Sequence, residues 1–129
     1  MGRQTAAAIR DVVVVSVPVT DQERSREFFV DRLGFELVSD SQAEGLHWVE
    51  VRPPGSSTSL TLVTWFPSMP AGSLQGLVLG TDDVAGAYRR LSERGVRFDH
   101  EPQEAFWGTY TTFSDPDGNS FVLAQSTGS

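Results

Sequence analysis

Residues Val12 to Phe35 read VVVVSVPVTDQERSREFFVDRLGF, and residues Leu77 to Phe98 read LVLGTDDVAGAYRRLSERGVRF. In the first stretch the β-branched run Val12 to Val19, interrupted by Ser16 and Pro18, predicts a strand. Thr20-Asp21-Gln22-Glu23 then has capping-box spacing: Thr20 is placed to accept from the third helical N–H while Glu23 reaches back. Phe28, Phe29 and Leu33 form one helical stripe with Ser25 on the same side. Gly34 stands where a left-handed residue ends a helix, and Phe35 to Val38 resumes an extended pattern. The second stretch repeats this order. Leu77 to Leu79 is a strand, and Asp82 or Asp83 is an N-cap. Val84, Ala87, Tyr88 and Leu91 fall at i, i+3, i+4 and i+7, an amphipathic helix. Gly95 stops it, and Val96-Arg97-Phe98 is again extended. Asp21 and Asp83 lie about sixty residues apart, as do Gly34 and Gly95. Four matches in one order indicate an internal duplication.

Working outward, Leu46 to Arg52 and Ser59 to Trp65 read as strands flanking a Pro53-Pro54-Gly55 loop. Thr109 to Ser114 and Ser120 to Gln125 flank Asp115-Pro116-Asp117-Gly118-Asn119, a hairpin turn in which Pro and Gly supply the special dihedrals. Each half therefore reads βαβββ. Module one covers about 11–65 and module two about 74–126, and Phe66 to Ser73, with Pro67, Pro70 and Gly72, links them. The 129 residues form one domain over 1–129.

Composition removes several chemistries. The chain has no cysteine, hence no disulfide, thiolate nucleophile or Cys-ligated zinc. All ten basic residues are Arg, so a lysine Schiff base is excluded. A net charge of −7 repels nucleic acid on average. No apolar run approaches the ~20 residues that span a bilayer, and the stretch Met1 to Arg10 is too short in its apolar part for a secretory signal. The expectation is a cytoplasmic protein with neither nucleic-acid nor membrane partner. The Asp115 to Asn119 segment fails as an EF-hand, which needs Gly and Glu where Ser120 and Ser126 stand. Neither a G-x-S-x-G elbow nor a Gly-rich phosphate loop is present.

The paired pattern resembles the vicinal oxygen chelate superfamily, which includes glyoxalase I, extradiol dioxygenases, fosfomycin-resistance enzymes and bleomycin-resistance proteins. The resemblance rests on Val19-Thr20-Asp21 with Ser25 and Phe28-Phe29, on Leu33-Gly34-Phe35, and on Asp82-Asp83-Val84 with Leu91 and Gly95-Val96. Trp107-Gly108 and Asp115 to Asn119 complete it, over about residues 11 to 126. It implies an α+β fold of two βαβββ modules forming a cup-shaped, mostly antiparallel sheet with helices outside. It also implies a homodimer, with the site in the concavity. Metal-dependent members carry two ligands per module, and the motifs map those positions onto Val14 and about Thr61, and onto Gly76 and Val122. Val and Gly offer no donor atom and one Thr hydroxyl is a poor ligand, so neither a metal nor another cofactor is expected.

Strand alternation sends Val49 and Val51 to the helix side, hence Trp48 and Glu50 to the concave side, with His47 facing away from Trp48. If Phe113 points to the helices, Tyr110 and Thr112 point inward. Val14, Thr61, Gly76 and Val122 line the same hollow by parity, and Trp65, Phe66, Phe106 and Trp107 add aromatic walls. Such a surface suits a small organic molecule, and an aromatic one in particular. The expected function is metal-independent binding or sequestration of an aromatic antibiotic or metabolite. The alternative is a lyase, isomerase or dioxygenase-like enzyme using Glu50, Tyr110 or His47 as acid and base.

Overall fold

The computed structural model describes residues 8–126; residues 1–7 of the stretch weighed as a signal lie outside them. Module one comprises β1 (Val14–Pro18), α1 (Gln22–Glu27) continued by a π-helical turn (Phe28–Arg32), β2 (Glu36–Ala43), β3 (Leu46–Arg52) and β4 (Ser59–Val63). Module two comprises β5 (Leu77–Gly80), α2 (Val84–Glu93), β6 (Arg97–Phe98), β7 (Gln103–Ala105), β8 (Gly108–Ser114) and β9 (Ser120–Ser126). The first sheet has the order β1-β4-β3-β2 and the second β5-β9-β8-β6, with β7 also on β8. In each the first strand runs parallel to the last, β1 on β4 and β5 on β9, and the other pairs are antiparallel. β6 and β7 pair with successive parts of β8, so together they occupy the place of β2. The two βαβββ halves are real. Among the described residues no strand pair joins the two sheets, so the sheets do not close on one another.

Local chemistry accounts for the element boundaries. Pro18 ends β1, an edge strand, where a missing N–H breaks no ladder. Asp21, rather than Thr20, caps α1: its Oδ1 accepts from Glu23 N and Arg24 N, both at 3.1 Å. Thr20 is diverted by a tertiary partner, its hydroxyl donating to Asp117 Oδ1 at 2.7 Å. Asp83 caps α2 through Gly86 N at 3.0 Å. A Cβ on Gly86 would stand 2.3 Å from Asp83 Oδ2, so a larger residue there would oblige the capping carboxylate to rotate.

One core serves both modules. Val17, Phe28, Phe29, Val49, Val51, Leu60 and Leu62 of module one cluster with Val96, Phe113, Phe121 and Leu123 of module two. The Phe29 and Phe121 rings meet edge-on at 5.9 Å, and Phe113 stacks on Phe121 at 5.3 Å. Each such fully buried ring contributes about 2–3 kcal/mol from burial.

The turn from Asp115 to Asn119 fastens the halves together. Asn119 is fully buried; its Nδ2 donates to Pro18 O and to Asp115 Oδ2, each at 2.8 Å, and its Oδ1 accepts from Leu74 N at 3.0 Å. Asp117 Oδ1 accepts from the Thr20 backbone and hydroxyl and from Arg24 Nη2. The linker passes so close that a Cβ on Gly72 would lie 2.3 Å from Asp117 O, and Gly72 has φ +85°. Asn119→Ala would leave the Leu74 N–H and one acceptor on Pro18 without these partners, at about 1–3 kcal/mol each. We expect a loss of about 2–5 kcal/mol, read as a lower urea midpoint at unchanged slope; a shift under about 0.5 kcal/mol would refute the assignment.

Candidate functional site

Register defines one face on each sheet that points away from the shared core. In the first sheet Ser39 pairs with Glu50, Glu50 with Thr61, and Thr61 with Ser16, so these four side chains form a polar row across four strands. Thr61 is buried, with its hydroxyl 3.5 Å from that of Ser16. Val14 and Trp48, each two residues along from this row, share its face. Trp48 Nε1 donates to Glu50 Oε1 at 3.0 Å. The Trp48 ring lies nearly parallel to Trp65, 6.3 Å away at 26°, and Trp65 touches Phe66 at 6.1 Å. Val14, Trp48, Glu50, Thr61, Trp65 and Phe66 are thus brought to one sheet, where Trp48 anchors the carboxylate and Trp65 backs Trp48.

The remaining predicted residues lie on or beside the second sheet. Val122 pairs with Val78 and with Thr112, and Tyr110 with Ala124. Gly76 lies just before β5 and donates its N–H to Ser120 O. The Trp107 and Tyr110 rings are 5.6 Å apart, while Phe106 is 98% exposed. Val78, Gly80, Thr81, Asp82, Trp107 and Ala124 line an open hollow of about 730 Å³.

A polar group that sequence reasoning missed sits beside Tyr110. Asp99 N donates to Thr112 O, and the Thr112 hydroxyl donates to Asp99 Oδ2 at 2.6 Å. His100 Nδ1 is 2.8 Å from Glu101 O; a carbonyl only accepts, so Nδ1 carries the proton and Nε2 of the neutral ring is an acceptor. That Nε2 lies 3.5 Å from the Thr112 hydroxyl, whose proton is committed to Asp99. The His100 ring meets Tyr110 edge-on at 5.5 Å, and Tyr110 Oη donates to Gln103 Oε1 at 3.1 Å. Alternation from Phe98 signals only Asp99; His100 reaches Tyr110 because the chain bends after β6, which leaves no period in the sequence.

The three acid–base candidates stand apart. Glu50 is held by Trp48 and Tyr110 by Gln103. His47 is on the opposite face from Trp48 by parity, its Nε2 2.6 Å from Asp40 Oδ1. No hydrogen bond joins any two of the three among the described residues. Val14, Thr61, Gly76 and Val122, the positions onto which the resemblance maps metal ligands, supply a single side-chain oxygen, a donor set that does not fit a divalent cation. Among the described residues no three His, Asp or Glu side chains gather in a way that could hold a metal ion, and no helix is long and apolar enough to cross a membrane.

The sequence profile of the Glyoxalase/Bleomycin resistance protein/Dioxygenase superfamily matches residues 11–123. The chain belongs to this superfamily. It is 48% identical to TnmS3, an antibiotic binding protein from Streptomyces sp. CB03234, whose crystal structure superposes with TM-score 0.90, covering 95% of this chain and all of that one. A superfamily member from Sphaerobacter thermophilus is 38% identical, with TM-score 0.85 over 93% of this chain and all of its own. The Bacillus subtilis protein YetH is 34% identical over 91% of this chain and 99% of its own length.

Electrostatics at the outer edge of the first sheet yield a pH dependence. The hydrogen bond from His47, and after it the Arg26 guanidinium, hold the Asp40 carboxyl below its ordinary value of 3.8 against partial burial. A depressed carboxyl stabilises the fold above its unfolded value, and that contribution fades as pH falls through the folded one. The stability gap between wild type and Asp40→Asn should therefore be constant from about pH 5 to 6 and shrink below about pH 4. Chemical denaturation at each pH measures it, and a gap that widens on acidification would contradict the pairing.

Proposed function

We propose that the chain is a metal-independent binder of a planar aromatic small molecule, an antibiotic or related metabolite, acting as a homodimer in the cytoplasm. The observation that carries this reading is the Trp48–Trp65 wall with Glu50 fixed at its edge by the Trp48 indole. Preorganised aromatic faces bind planar π-systems with little loss of side-chain freedom, and a neighbouring carboxylate orients a donor or cationic group. On the second sheet Tyr110 and Trp107 supply a similar wall, with His100 Nε2 as an acceptor. The likeness to an antibiotic binding protein across nearly the whole chain supports the same reading. Separation of Glu50, Tyr110 and His47 favours binding over the lyase, isomerase or dioxygenase-like alternative. The homodimer is supported by apolar surface that one copy leaves in water: Val78 is 60% exposed, and Phe106, Phe66 and Trp107 are exposed as well.

Calorimetric titration against aromatic antibiotics and their precursors tests the proposal. A ligand should saturate the wild type with unchanged affinity in excess EDTA. Trp48→Ala should weaken binding at least tenfold, about 1.4 kcal/mol. Binding that vanishes with the chelator, or a Trp48→Ala variant as tight as wild type, would overturn it. Light scattering should give twice the chain mass.

A further inference from the structure

Duplication allows the two helices to be compared position by position. Counted from the caps Asp21 and Asp83, Ser25 corresponds to Ala87, Phe28 to Arg90 and Phe29 to Leu91. In module one both phenylalanines are buried and meet edge-on at 5.2 Å, and the hollow beside that helix, about 290 Å³, is lined largely by polar groups including Arg32, Arg97 and Asp115. In module two the Phe28 counterpart is an arginine, and the corresponding hollow, about 270 Å³, is walled mainly by apolar side chains. Its walls are Leu79, Leu91, Phe113 and Leu123 of module two, with Leu33 and Phe35 reaching in from module one. Arg90 and Arg94 stand on its lining. Among the described residues neither forms an ion pair. Arg94 Nη1 donates to Arg32 O at 3.1 Å, and Arg90 has no hydrogen-bond partner there.

The hollow opens to solvent on one side and is walled mainly by apolar side chains, so a ligand that enters it removes apolar surface from water. A void of about 150 Å³ already admits benzene, so this one accommodates a fused pair of rings. Guanidinium groups on its lining select a carboxylate, which they can hold by two parallel hydrogen bonds. We infer that this junction hollow is a second ligand site, distinct from the aromatic sheet faces, which takes an apolar aryl monocarboxylate with its rings between the modules and its carboxylate on Arg90.

The probe is 2-naphthoate, followed by calorimetry and amide chemical shifts on the full chain. Saturable binding is expected, with shifts at Leu79 and Leu91, and neutral 2-naphthamide should bind at least tenfold more weakly. Arg90→Gln should weaken naphthoate at least tenfold, and Ala87→Phe, which places a ring in the hollow, should abolish it. Trp48→Ala should leave it unchanged, which separates this site from the sheet-face reading. The inference is overturned if naphthoate does not bind at millimolar concentration, if Arg90→Gln binds as wild type, or if Trp48→Ala removes binding.

Discussion

The structure depends on one buried amide. Asn119 reaches from the second module's hairpin turn to the carbonyl of Pro18 at the end of the first module's first strand, while its oxygen takes the Leu74 N–H from the linker. Three segments distant in sequence are thus tied at a point closed to water, where an unmade hydrogen bond is at its most expensive. Asp115 supports the arrangement by accepting from the N–H groups of Asp117 and Asn119 and from the Asn119 amide. Its burial pushes its own carboxyl above the ordinary value despite those bonds. The turn therefore holds a charge at some cost in order to aim Asn119.

Around this clasp the halves have diverged within a common plan. From cap to stop glycine module one has thirteen positions and module two has twelve. The extra residue is absorbed by the π turn, where Leu33 N bonds to Phe28 O, five residues back. The pseudo-symmetry persists where the helix ends meet: Arg94 donates to Arg32 O and lies near Gly34, while Arg32 Nη1 lies against Gly95. The same duplication exposes the exchange of Phe28 for Arg90, a difference invisible from either half alone.

The sheet faces show a comparable replacement. The positions onto which the family motifs map metal ligands hold Val, Gly and one Thr here, beside a tryptophan pair and an anchored glutamate. Apolar and aromatic surface stands beside them, and on the proposed reading recognition rests on stacking, dispersion and a few directed hydrogen bonds.

The duplication, the helix positions, the boundaries of β3 and the side of the first sheet that carries Trp48 and Glu50 were all legible in the residues, because periods of 3.6 and 2 and the placement of Gly, Pro and Asp are local signals. Thr20 was misread as a cap because its partner, Asp117, is far away in the chain. His100 was passed over because only the pairing of β6 and β7 with β8 brings it beside Tyr110 and Thr112. Whether the sheets close, and that a hollow opens beneath α2, were likewise decided by packing between modules. Sequence by itself determined the two modules and their faces; tertiary structure decided which polar groups meet, since hydrogen bonds between distant residues leave no period in the chain to read.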